Sequence, residues 1–125
     1  MTKGEAKSLA LLFLKGDNSG AQITDFVIEQ SILEVATRCE PRQLYVSDLS
    51  AATKIYRKLY DQDGTITGAI RYPAAVGDDE ELDIDSDLHM AVVFFVCAYF
   101  SNRSKDYYEA KAERLISLYK SNSNL

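Results

Sequence analysis

Along the chain, apolar residues first recur at helical spacing at Leu9, Leu12 and Phe13, after Thr2 and Glu5, a pair spaced for a capping box. The pattern predicts a first helix that turns those three side chains to the core and closes near Gly16, where a helix end favours a left-handed residue. A polar loop, Asp17 to Gly20, follows. A second helix is expected from about Thr24 to Arg38, with Phe26, Ile28, Ile32, Val35 and Ala36 as its apolar stripe and Pro41 barring its continuation. Leu44-Tyr45-Val46 could form a short extended piece before a turn at Ser47-Asp48-Leu49. From there the period changes to two. Residues 54–60 and 65–72 read as strands joined through Asp61-Gln62-Asp63-Gly64, because Asp-Gly between β-prone runs favours a hairpin. Pro73 ends the second strand.

Ala74 to Asp87 forms an acidic loop that feeds an apolar helix from Leu88 to Phe100, with Asp85 or Ser86 as its cap. Asn102 to Ser104 breaks the chain. Ser104 caps a last helix on which Tyr108, Ala112, Leu115 and Tyr119 fall a turn apart. Ser121 to Leu125 is expected to be a frayed, flexible tail. The fold class that results is mostly α: a single domain, 1–125, of about four helices with one inserted β-hairpin, roughly 54–60 and 65–72. One segment stands out. Met90 to Phe100 carries no charge on any face, and a helix apolar all round must be buried all round. Its neighbours are either the rest of this chain or a second copy.

Composition narrows the function classes. The chain has 125 residues, 46% hydrophobic and 26% charged, ordinary for a globular domain of this length. Its net charge of −5 argues against a duplex-DNA or anionic-membrane binder, since phosphate binding rests on clustered Lys and Arg. The cysteines, Cys39 and Cys97, are far apart and form no CxxC pattern, so neither a disulfide framework nor a zinc site is expected. The stretch Leu9–Leu14 is short, is followed by Lys15 and lacks a small-residue cleavage site, which reads as a helix rather than a signal peptide. Met90–Phe100 is shorter than the roughly 18 apolar residues that span a bilayer.

No residue pattern for catalysis emerges. Placing Asp61, Asp63 and Gly64 at positions 3, 5 and 6 of a calcium loop puts Leu59 at position 1 and Ile70 at position 12, where oxygen ligands are required. A hairpin turn explains them better, and Asp78–Asp87 reads as a solvated loop more readily than as a metal site. His89, the lone histidine, reads as a partly exposed helix residue; Cys97 lies two turns on, roughly 12 Å along the axis and too far for a dyad. No glycine-rich phosphate loop is present. The expectation is a protein without enzymatic activity, cofactor or metal, acting through its surface.

The segment Ala69-Ile70-Arg71-Tyr72-Pro73, the loop end Leu82-Asp83-Ile84-Asp85-Ser86-Asp87-Leu88-His89, the apolar helix and the closing Tyr107-Tyr108-Glu109-Ala110-Lys111-Ala112-Glu113 together resemble head-to-tail adaptor (connector) proteins of tailed bacteriophages. The resemblance covers residues 54–120 best. It implies a homo-oligomeric ring of about twelve copies. That ring would sit in the neck of the virion, assembled in the host cytoplasm. It would join the portal protein of the head to tail or stopper proteins and extend the channel through which DNA passes without sequence-specific binding. In such proteins the C-terminal helix and tail often engage the portal, here Tyr107 to Leu125. The candidate interface residues are Arg71, Tyr72, Asp83, Asp85, Tyr107, Arg114, Tyr119 and Lys120. An acidic lumen, which Asp78–Asp87 could supply, would let DNA slide. The competing expectation is a small helical interaction or regulatory domain that binds one partner protein.

Overall fold

Four helices and a small antiparallel sheet follow one another in the order the hydrophobic pattern predicts. A computed structural model describes residues 1–50 and 54–123. The elements are α1 (Lys3–Leu14), α2 (Asp25–Arg38), β1 (Tyr45–Val46), β2 (Ile55–Tyr60), β3 (Ile66–Arg71), α3 (His89–Phe100) and α4 (Lys105–Ser123). Single 3-10 turns at Arg42–Leu44 and Ser86–Leu88 precede β1 and α3.

Local chemistry explains most boundaries. The Thr2 hydroxyl accepts from the Glu5 N–H while the Glu5 carboxylate accepts from the Thr2 N–H, the reciprocal capping box read from the sequence. Thr24 caps α2 through the Val27 N–H. In the β2–β3 turn the Asp61 carboxylate accepts from the N–H groups of Asp63 and Thr65, at 2.9 and 3.0 Å. Gly64 there takes φ +81°, a conformation a Cβ resists. The possible extended piece at Tyr45–Val46 is a third strand, on the free side of β3, giving the sheet order β1-β3-β2.

α3 occupies the centre. It packs against α1, α2 and α4 of its own chain, and only Tyr99 among its residues is exposed. That accounts for the uncharged run: three helices surround it, and most of its surface is satisfied within one copy. Among the described residues no buried side-chain nitrogen or oxygen lacks a hydrogen-bond partner.

Several expectations are corrected. On α1 the buried residues are Lys3, Ala6, Ala10 and Leu14, while Leu11, Leu12 and Phe13 are exposed and Leu9 is half-buried. Small alanines let α1 lie close to α3, which leaves its larger side chains outside. Phe26 is likewise exposed and not part of the buried α2 stripe. α1 closes at Lys15 in right-handed geometry, and Gly64 alone among the described glycines has a positive φ. Neither Asp85 nor Ser86 caps α3: its N-cap is Leu88, with no side-chain cap bond, and the Asp85 carboxylate is engaged elsewhere. His89 is buried, with Nε2 2.9 Å from the Ile84 carbonyl oxygen. α4 runs on through residues 121–123, so those positions are helical rather than frayed, and residues 124–125 of the expected tail lie outside the described residues. Residues 51 and 52, at the end of the mixed segment, lie outside them as well.

Candidate functional site

The densest polar network among the described residues is where β3 ends. Arg71 is the last residue of β3, and Pro73 then turns the chain into the acidic loop. The loop returns past β3, bringing Asp83 opposite Arg71. Both guanidinium Nη atoms donate to the Asp83 carboxylate, at 2.6 and 3.1 Å, in a pair only partly open to solvent. The Ala74 N–H donates to the same carboxylate at 2.7 Å and the Gln43 side-chain amide at 2.9 Å. Burial pushes the Asp83 carboxyl up, but the Arg71 guanidinium, the Ala74 N–H and the Gln43 amide together hold it down at about 2.

Gln43 carries the network onward. Its carbonyl accepts from Arg71 at 3.1 Å, and its N–H donates to the Asp85 carboxylate at 2.8 Å. The Tyr119 hydroxyl donates to the other oxygen of Asp85 at 2.7 Å and accepts from the Arg42 N–H at 2.9 Å. The Arg42 guanidinium lies over the Tyr119 ring, 5.6 Å from its centre. Burial raises the Tyr119 phenol, and its bond to Asp85 raises it further. One polar chain therefore links the end of β3, the acidic loop, the 3-10 turn before β1 and the C-terminal part of α4.

Of the residues singled out from the sequence, Arg71, Asp83, Asp85 and Tyr119 are brought together here as a fastening inside the chain. Tyr72 adjoins them: its carbonyl accepts from Arg71, its ring meets Tyr56 edge-on at 5.3 Å, and Lys54 lies 4.5 Å from its centre. Lys120 is next in sequence to Tyr119 and lines a hollow with Arg42, Arg57 and Cys39. Arg114 is exposed on α4. Tyr107 is apart from all of these, twelve residues before Tyr119 and so roughly 18 Å along the axis; it is 58% exposed and stacks edge-on with Tyr108. Arg42 and Gln43 carried no signal in the sequence, since an isolated polar pair between two elements says nothing about what the fold places beside it.

The acidic loop is also fastened. Thr2 and Glu81 form a β-bridge, the Lys3 and Gly4 N–H groups donate to the carbonyls of Glu80 and Asp78, and the N-terminal amino group pairs with Glu81. A Cβ on Gly4 would lie 2.9 Å from the Asp78 carbonyl oxygen, so glycine is required for that approach. Lys7 bridges Asp25 and Asp78 at 2.7 and 2.9 Å. Among the described residues no group of three or more His, Cys, Asp or Glu side chains could hold a metal ion. Cys39 and Cys97 are buried, which pushes their thiols up to about 11 and about 12.

Two surfaces remain outside these fastenings. Leu9 and Leu12 form an apolar stripe along the outer side of α1, with Leu12 64% exposed. Between α2 and α4 a groove of about 400 Å3 opens over α3, floored by Val27, Phe95 and Ala98 and flanked by Phe26 and Tyr99. Comparison with protein-family models, with curated proteins and with solved structures finds no match to this chain. Among the described residues no helix is long and apolar enough to cross a membrane.

Proposed function

We propose that the chain is a structural subunit of a bacteriophage neck, forming a ring that joins the portal of the head to tail or stopper proteins and extends the DNA channel. The observation that carries the reading is the division of labour along the chain. Within the resemblance, the stretch from Ala69 to His89 is spent on fastening the domain to itself, while large apolar and aromatic side chains stand exposed on each of the four described helices, among them Leu12 on α1, Phe26 on α2, Tyr99 on α3, and Tyr107 and Leu118 on α4. Exposed apolar side chains of this size on a small acidic protein fit a role carried out through protein partners. The net charge of −5 suits a channel that DNA crosses without sticking.

In this reading Tyr107, Arg114 and Lys120 on α4 face the portal or a neighbouring copy, and Arg71, Asp83, Asp85 and Tyr119 hold the shape that presents them. A second reading, a small interaction domain that binds one partner, is favoured by the enclosure of α3 within one copy, which removes the need for a neighbour to cover it. Electron microscopy of the portal of the same phage, with and without this protein, separates the two. A collar of added density below the portal is expected for the neck subunit; an unchanged portal would count against it.

A further inference from the structure

We propose that the last two turns of α4, residues 117–123, act as a latch that undocks and redocks as one unit about Ile116, with the Tyr119 side chain as its bolt. The latch depends only on how α4 is held to its own chain, so it stands apart from the neck reading.

Helix lengths place the joint. α3 has 12 residues and α4 has 19, about 18 and 28 Å at 1.5 Å per residue. The two run antiparallel: Tyr108, near the start of α4, stacks on Phe94, while Tyr119, near its end, reaches Asp85 ahead of α3. Residues 105–116 therefore match α3 in length, and the rest of α4 overhangs it by about 10 Å. Along the matched part, Tyr108, Ala112 and Ile116 lie in the hydrophobic core. Near its end α4 meets the 3-10 turn Ser86–Leu88 instead. Of residues 117–122, Tyr119 alone is buried.

That one buried attachment is largely polar. The Tyr119 hydroxyl donates to Asp85 at 2.7 Å and accepts from the Arg42 N–H at 2.9 Å, and the Arg42 guanidinium lies over the ring. A lone helix of two turns does not persist in water, so once Tyr119 leaves its site the segment is released and melts as a whole. Regions with few buried contacts open at a lower free energy than the domain unfolds. The closed form spends the Tyr119 hydroxyl, one oxygen of Asp85 and the Arg42 N–H on each other; the open form offers all three to a partner. A partner that engages only the open form shifts the balance toward it, by no more than its preference for that form.

The test is native-state amide hydrogen exchange of the full chain, read residue by residue by NMR, for the parent and for Tyr119→Phe, which keeps the ring and so the packing. Each is measured without urea and in urea below the unfolding transition. Urea speeds exchange in proportion to the surface that an opening exposes, which separates a small local opening from unfolding of the domain. In the parent, the amides of residues 119–122 are expected to share one opening, faster than that of the α3 amides and nearly insensitive to urea, while the α3 amides respond to it steeply. Tyr119→Phe is expected to speed all the amides of 119–122 by one common factor, roughly tenfold, for the loss of its two hydrogen bonds. Exchange in 119–122 that ignores Tyr119→Phe, or whose rates climb smoothly toward the end of the helix, would mean simple fraying and overturn the proposal. A urea response in 119–122 as steep as that of α3 would overturn it too, since the segment would then open only with the domain.

Discussion

Replacing Asp83 by Asn removes one negative charge at the centre of the polar network with little change of shape. The Asp83 carboxylate accepts from two Arg71 nitrogens, the Ala74 N–H and the Gln43 amide. An Asn side chain offers one acceptor oxygen and two donors, so one donor must face another and the Arg71 charge loses its partner. The magnitude follows from proton linkage. A carboxyl held at about 2 against an ordinary value of 3.8 corresponds to about 2.5 kcal/mol favouring the charged form. With the Asp83 side chain 12% and the Arg71 side chain 26% exposed, solvent screening reduces this to about 2 kcal/mol. For a domain of this length that is a fall in Tm of about 8 °C. The sign with pH is fixed: because the folded-state pKa is depressed, the stabilisation is full above pH ~4 and is lost as pH falls toward ~2. Urea unfolding of both proteins at pH 7 and at pH 2.5 to 4 is the assay, and their difference should shrink as the pH drops. A difference below about 0.5 kcal/mol at pH 7, within the range of an ordinary surface change, or one independent of pH, would refute the reasoning.

Tyr119→Phe should cost about 1–2 kcal/mol by chemical denaturation, because it strips a donor from Asp85 and an acceptor from the Arg42 N–H while leaving the ring in place. Leu14→Ala should cost about 2–5 kcal/mol and Leu12→Ala less than about 0.5 kcal/mol, since only the former is buried; equal losses would contradict the orientation of α1. Cys39 and Cys97 should resist a thiol reagent in native protein at pH 8, with reaction rates following unfolding, and rapid labelling of either would contradict their burial. Gly64→Ala should destabilise by about 1 kcal/mol through the positive φ of the hairpin turn, read from the shift in Tm.

The elements themselves were legible in the sequence because their signals are local. A capping box, an Asp-Gly turn and a proline after a strand each act within a few residues, and the corresponding boundaries fall within a residue or two of those expected. What was not legible is which side of a helix meets the core. α1 carries more large apolar residues than its buried face can use, and the spacing Leu9-Leu12-Phe13 is as regular as that of Ala6-Ala10-Leu14. Alanine wins because closeness to α3, a tertiary matter, favours small side chains there. The same limit applies to Asp85 and His89. Asp85 was expected to cap α3 and His89 to be partly exposed on it, yet the folded loop gives Asp85 to Tyr119 and Gln43 and turns His89 inward to Ile84. For the candidate interface residues, the resemblance to phage adaptors singled out Arg71 and Asp83 among eight positions without showing that they pair. It did not separate residues that hold a surface in place from residues that form it.

The measurement that bears most directly on the proposed neck role is the mass, by light scattering after size exclusion, of this protein mixed with a phage portal protein. The ring reading predicts a single complex in which about twelve copies join each portal, the closed stoichiometry that a heterologous contact permits. A monomer that elutes apart from the portal at every mixing ratio would contradict it.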